Sequence, residues 1–264
     1  MKKAWWKPVP LSDHRIIIIA LISCIGTWIL SVPYEGQLVY TLADRFHMDS
    51  FWLLTGSLAM QIFGLITGGL LIRNIKISKK ALVIAIPVCM ICTAAFLLPV
   101  SELWIVSLFV CSAAAGVCIA SCGFFLRAST VTGQRYKVVA NVLVIIAVTK
   151  LLINAVVIYV EVSIAIILLT AILGAAWYFS FRLPALQEEP PRISYNKKRF
   201  TFALLMLCLF ISVGTIDFGI MIHLITPAYQ HISWLSFWYG LLPYVASAII
   251  MKRIPALVER SNMM

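Results

Sequence analysis

VVANVLVIIAVTKLLINAVVIYV, residues 138–160, carries one charged side chain, Lys150, in 23 positions. As a helix rising about 1.5 Å per residue it reaches ~34 Å, enough to cross a hydrocarbon core about 30 Å thick. It has none of the period-two alternation of a membrane strand, so a helix is the remaining way to satisfy its backbone in lipid. Seven more stretches read the same way: residues 16–40, 51–72, 81–98, 103–126, 162–181, 200–225 and 232–251. The sequence therefore predicts an all-α membrane protein with about eight transmembrane helices.

Composition points the same way. The 264 residues are 62% hydrophobic and only 12% charged, with a mean hydropathy of +1.00. That leaves too little polar surface to enclose the chain in water, so the bilayer is its expected partner. A net charge of +11 would direct a soluble protein to nucleic acid. Here 19 of the 21 Lys and Arg fall in alternate connections: before the first stretch, after the second, fourth and sixth, and after the eighth. The opposite connections hold Glu35, Asp44, Asp49, Glu102 and Glu161, with Arg45 as their basic residue. The positive-inside bias then predicts an inner (plasma) membrane protein with both termini cytoplasmic and no nucleic-acid partner.

All seven cysteines lie in apolar stretches, and Cys89 and Cys92 form a lone CxxC without a second pair. They read as small packing residues, so neither a metal nor a cofactor is expected. Ser31-Val32-Pro33 offers no small-x-small cleavage site, and the first stretch is expected to remain as a span. Seven tryptophans near stretch ends, among them Trp52, Trp104 and Trp177, read as an interfacial belt.

The stretches fall into six and two around RLPALQEEPPRISYNKKR, residues 182–199, whose three prolines and mixed charge read as a cytoplasmic linker. The expected organisation is a six-helix membrane half over residues 1–182, a linker at 183–199, and an incomplete second half with two helices at 200–264. Ile25-Gly26-Thr27 and Phe51-Trp52 recur as Val213-Gly214-Thr215 and Phe237-Trp238, the pattern of an internal duplication.

On these features the chain resembles the major facilitator superfamily, whose members pair two six-helix halves through a cytoplasmic loop. Between the second and third stretches, the family's Gly-x-x-x-Asp-Arg-x-Gly-Arg-Arg-like signature corresponds to Gly69-Leu70-Leu71-Ile72-Arg73-Asn74-Ile75-Lys76-Ile77-Ser78-Lys79-Lys80. Gly69 keeps the leading position, Arg73 replaces the acid and Lys76 the second glycine, with Lys79 and Lys80 completing the basic run. The resemblance implies secondary transport by alternating access in a chain that ends after its eighth helix. It also implies self-association or a missing second half as partner. Some LuxR-type transcription regulators resemble this arrangement in their membrane region, which makes a non-transporting sensor or interaction domain the alternative.

Lys150 is the sharpest candidate for a substrate or ion path. An ammonium at mid-bilayer costs about 2.5–3.5 kcal/mol on insertion scales, and both interfaces lie ~15 Å away along the helix, too far to snorkel. It must face protein or water, and Asn154 shares its face four residues on. A cation there suits a small anionic solute; the plainer reading is a packing lysine paired with a buried carboxylate. Asp217, the one carboxylate deep in a stretch, is a candidate partner or proton site. If the two pair, neutralising both should be tolerated better than neutralising either, measured as folded yield and uptake; equal loss in all three variants rules the pairing out. Glu35, Gln37 and Gln61 are further path candidates: the first two follow Pro33 near a cavity mouth or a solvated helix end, and Gln61 needs a hydrogen-bonding partner in lipid, from a neighbouring helix or from substrate. Ser112, Gly116 and Ala120 are spaced as a close helix-packing seam.

No Gly-x-Ser-x-Gly elbow, HExxH pair or phosphate-binding Gly-rich Lys-Ser/Thr loop occurs, so no enzymatic activity is expected. Transport would be driven by a gradient or by the solute itself.

Overall fold

Six of the apolar stretches fold as helices in the computed structural model, which describes residues 11–34, 50–99, 102–130 and 135–183, with Ala246 and Ile249. They are α1 (Leu11–Ile29), α2 (Ser50–Leu71), α3 (Ile75–Ala95), α4 (Leu103–Ser129), α5 (Arg135–Tyr159) and α6 (Val162–Arg182). Each is long and apolar enough to cross a membrane, and all belong to one compact unit. The expectation of eight spans is thereby corrected to six among the described residues. Apolar length is necessary for a span but does not by itself establish one, and the stretches at 200–225 and 232–251 lie outside the described residues.

Local chemistry sets the helix ends. α3 starts at Ile75, not at residue 81, because the Asn74 side chain caps it: Oδ1 accepts from the Ile77 amide at 2.8 Å. Lys76, Lys79 and Lys80 are therefore helical, and the connection from α2 shrinks to residues 72–74. Lysine is a good helix former whose long stem carries the charge to the interface, so basic residues do not have to end a span. α1 runs on into a π-helix at Leu30–Tyr34. Pro33 lies in that segment and has no amide to donate, and the wider turn falls where the regular ladder loses a donor.

The helices pack in a pattern that repeats. α4 lies between α2 and α3, α3 also packs on α6, and α1 packs on both α5 and α6. Exchanging α1 with α4, α2 with α5 and α3 with α6 maps these pairs onto one another, although the α5–α6 contact has no counterpart of similar extent between α2 and α3.

The α2–α4 contact is the closest. A Cβ on Gly64 would run into the Ala113 backbone, and one on Gly116 into the backbone of Gln61, Gly64 and Leu65. A Cβ on Gly68 would stand 3.1 Å from both Val117 Cα and Ala120 Cβ. Ser112, Gly116 and Ala120 thus form a packing seam, and its partner is the glycine face of α2. In lipid, where no hydrophobic force draws helices together, such backbone approach maximises dispersion and lets polar groups meet. Ser57 Oγ and Ser112 Oγ are 2.7 Å apart across it. Ser112 Oγ also lies 2.6 Å from the Leu108 carbonyl, and either serine can donate across the seam.

Elsewhere side chains tie the bundle. Trp28, fully buried on α1, donates to Thr93 Oγ1 of α3 at 2.9 Å, and Thr93 passes its own proton to the Cys89 carbonyl at 2.7 Å. Cys89, Cys111, Cys118 and Cys122 are buried free thiols around α3 and α4. Trp104 is a correction to the interfacial belt: it is buried and packs edge-on to Phe96, with centroids 5.5 Å apart. Trp52 and Trp177 are exposed. So are the large apolar side chains Ile66, Ile84, Ile91, Leu152 and Ile167, a surface suited to acyl chains.

Candidate functional site

Charge divides the bundle into two unlike ends. Lys79 Nζ donates to the Phe181 and Leu183 carbonyls at 2.9 and 2.6 Å, capping the C-terminus of α6. Arg135 does the same for α4, with Nε on the Thr130 carbonyl at 3.2 Å and Nη2 on the Arg127 carbonyl at 3.1 Å. These cations satisfy orphan carbonyls and complement the helix dipoles. Glu102 and Glu161 sit at the N-caps of α4 and α6, where negative charge is favoured.

Between those ends lies Lys150, only 4% exposed and 15 positions into α5. Ile146, one turn earlier, lies where a Cβ on Gly26 of α1 would meet its side chain. Lys150 shares that side of α5, next to buried Ala147, and Asn154 follows half-buried one turn on. The packing therefore leaves the ammonium inside the bundle and not against lipid. Gln61 is also buried, on the glycine face of α2, and its Oε1 accepts no hydrogen bond. Glu35, Gln37 and Asp217 lie outside the described residues.

Three polar residues missed by the sequence reading lie on α1 and the π-helix that continues it. Ser23, Thr27 and Ser31 are each no more than 2% exposed, and none of their hydroxyls has a hydrogen-bond partner. Spaced by four, they share one helical face. A buried hydroxyl left unmatched costs about 1–3 kcal/mol, so three in register are a costly arrangement for packing alone. The signal in the sequence was their i, i+4, i+8 spacing, hidden because Ser and Thr are tolerated in membrane helices by bonding to their own backbone.

The basic run after α2 splits in function. Arg73, Lys76 and Lys80 are exposed, whereas Lys79 is the half-buried cap of α6. Gly69 faces open space: a Cβ there would meet nothing within 4 Å. Gly69→Ala should accordingly leave the thermal unfolding midpoint unchanged or slightly raised, by up to about 1 kcal/mol of helix propensity. A drop as large as that at the seam glycines would show a packing role at this position.

Comparison with known proteins finds no matching family model, no similar curated protein and no similar solved structure. The class defined by the fold is an all-α protein of six described helices with the length and apolarity of membrane spans.

Proposed function

We propose that the bundle is the solute-handling part of a facilitator-like secondary transporter that moves a small anion by alternating access. The observation that carries this reading is Lys150, a cation held inside an apolar bundle midway along α5. A cation at that depth in a low-dielectric interior attracts an anion. The unmatched hydroxyls of Ser23, Thr27 and Ser31 and the free Oε1 of Gln61 support it, since they provide polar contacts within a membrane interior. The exchange pattern of the helices supports the facilitator resemblance, because each six-helix half in that family is built from two three-helix repeats. The basic end of the bundle supports an orientation with that end cytoplasmic, in the plasma (inner) membrane.

Uptake of a panel of labelled small anions into liposomes reconstituted with the full chain tests the proposal. Uptake that requires the protein and falls with Lys150→Ala is the expected result. Absence of uptake under every applied ion gradient removes the transport claim and leaves the sensor reading.

A further inference from the structure

A groove of about 550 Å³ opens between the first turns of α3 and the last turn of α6. Lys76, Lys79 and Lys80 lend it their aliphatic stems beside Ile75, Val83, Ile84 and Phe181, so its lining is almost wholly apolar. We propose that this groove binds one anionic phospholipid, with its phosphate at Lys76 and Lys80 and an acyl chain along Val83, Ile84 and the Phe181 ring.

The charge pattern points to an anion. Lys76 and Lys80 stand at i and i+4 on an exposed face, so their like charges repel within 5–6 Å at the Cβ level, and Lys79 adds a third ammonium within the same turn. No carboxylate is among the lining residues. Two of the three donors of Lys79 are committed to the Phe181 and Leu183 carbonyls, which fixes its charge at the groove edge. A phosphate between Lys76 and Lys80 relieves the repulsion and gains two charge-assisted hydrogen bonds.

The apolar part points to a lipid and not to a free anion. Beyond the lysines the groove runs onto Ile84, and Ile91 continues the same exposed side of α3 two turns on. The strip from Lys80 to Ile91 is about 16 Å long at helical rise, a length that serves an acyl chain and has no use for a hydrophilic ion. The walls are preformed: Trp177 Nε1 donates to the Val83 carbonyl at 3.2 Å, and its ring meets Phe181 edge-on at 5.0 Å. Basic pockets between helices at the cytoplasmic boundary recognise anionic head groups in this way. The inference is independent of the transport reading.

The test is retention of lipid by the full chain in native mass spectrometry, with phosphatidylglycerol and phosphatidylcholine of identical acyl chains in competition. The wild type should retain phosphatidylglycerol in preference by roughly tenfold or more, from two lysines near the surface. K76Q/K80Q should bring the preference close to one, and Ile84→Trp should lower retention with both lysines intact. Neither variant touches the Lys79 cap, and unchanged thermal unfolding confirms that each still folds. Glycerol phosphate at equal concentration should displace nothing. Equal retention of the two lipids, an unchanged preference in K76Q/K80Q, or displacement by glycerol phosphate would overturn the proposal.

Discussion

Gly116→Ala should leave little folded protein, although it adds a single methyl group. The new Cβ would enter the backbone of α2, with Gly64 C at 2.7 Å and atoms of Gln61 and Leu65 closer still. A side chain could rotate away, but a helix backbone can only move as a unit. Separating α2 from α4 would also stretch the Ser57–Ser112 bond beyond its 2.7 Å. Overpacking of this kind costs about 3 kcal/mol or more, a large share of the stability of an ordinary domain. Gly64→Ala should behave alike, because its Cβ meets the Ala113 backbone. Gly26→Ala is the internal contrast, since its Cβ would meet only the flexible end of Ile146. Monodisperse yield and thermal unfolding in detergent measure all three. Gly116→Ala with wild-type yield and midpoint would show that α2 and α4 pack less closely than the structure has them.

Loss of anion uptake by at least about thirtyfold is the outcome expected for Lys150→Ala. Truncating one partner of a buried charge contact costs 2–5 kcal/mol, and each 1.4 kcal/mol is a factor of ten. Lys150→Arg should retain part of the uptake, because the cation remains while its hydrogen-bonding geometry changes. The conservative variant separates function from folding. If Lys150 serves packing alone, Ala and Arg will shift thermal unfolding without an anion-dependent difference between them. If it binds the solute, the solute will raise the unfolding midpoint of wild type and Arg but not of Ala. Solute stabilisation of Lys150→Ala equal to wild type would exclude a role in binding.

Most of the architecture was legible because membrane insertion imposes a single-chain rule, that about 20 consecutive residues must be apolar. The stretches at 51–72, 103–126, 138–160 and 162–181 emerge as helices within a few residues of the expected bounds. Where the reading failed, a specific competing interaction decided. Hydropathy placed Lys76, Lys79 and Lys80 in a loop, but the Asn74 cap and the Lys79 bonds to the end of α6 hold them in a helix. Trp104 looked interfacial by position and instead packs on Phe96. The count of eight included the stretches at 200–225 and 232–251, which lie outside the described residues.

The site divides along the same line. A lone cation in residues 138–160 was conspicuous from composition, because its cost depends only on depth in the bilayer. The hydroxyls of Ser23, Thr27 and Ser31 were not conspicuous, since whether a hydroxyl is buried and unmatched depends on neighbours far away in the chain.

What the sequence determined by itself is whatever depends on one helix and its solvent: helical spans in lipid, the bias of basic residues to alternate connections, and the anomaly of Lys150. Only the tertiary structure decided which faces meet. It set the glycine face of α2 against Gly116, turned Lys150 inward, committed Lys79 to the end of α6 and opened the groove beside it. In hydrocarbon every apolar face is equally well solvated, so hydropathy carries no preference among partners. Close packing and the satisfaction of a few polar groups make that choice, and both are properties of helix pairs.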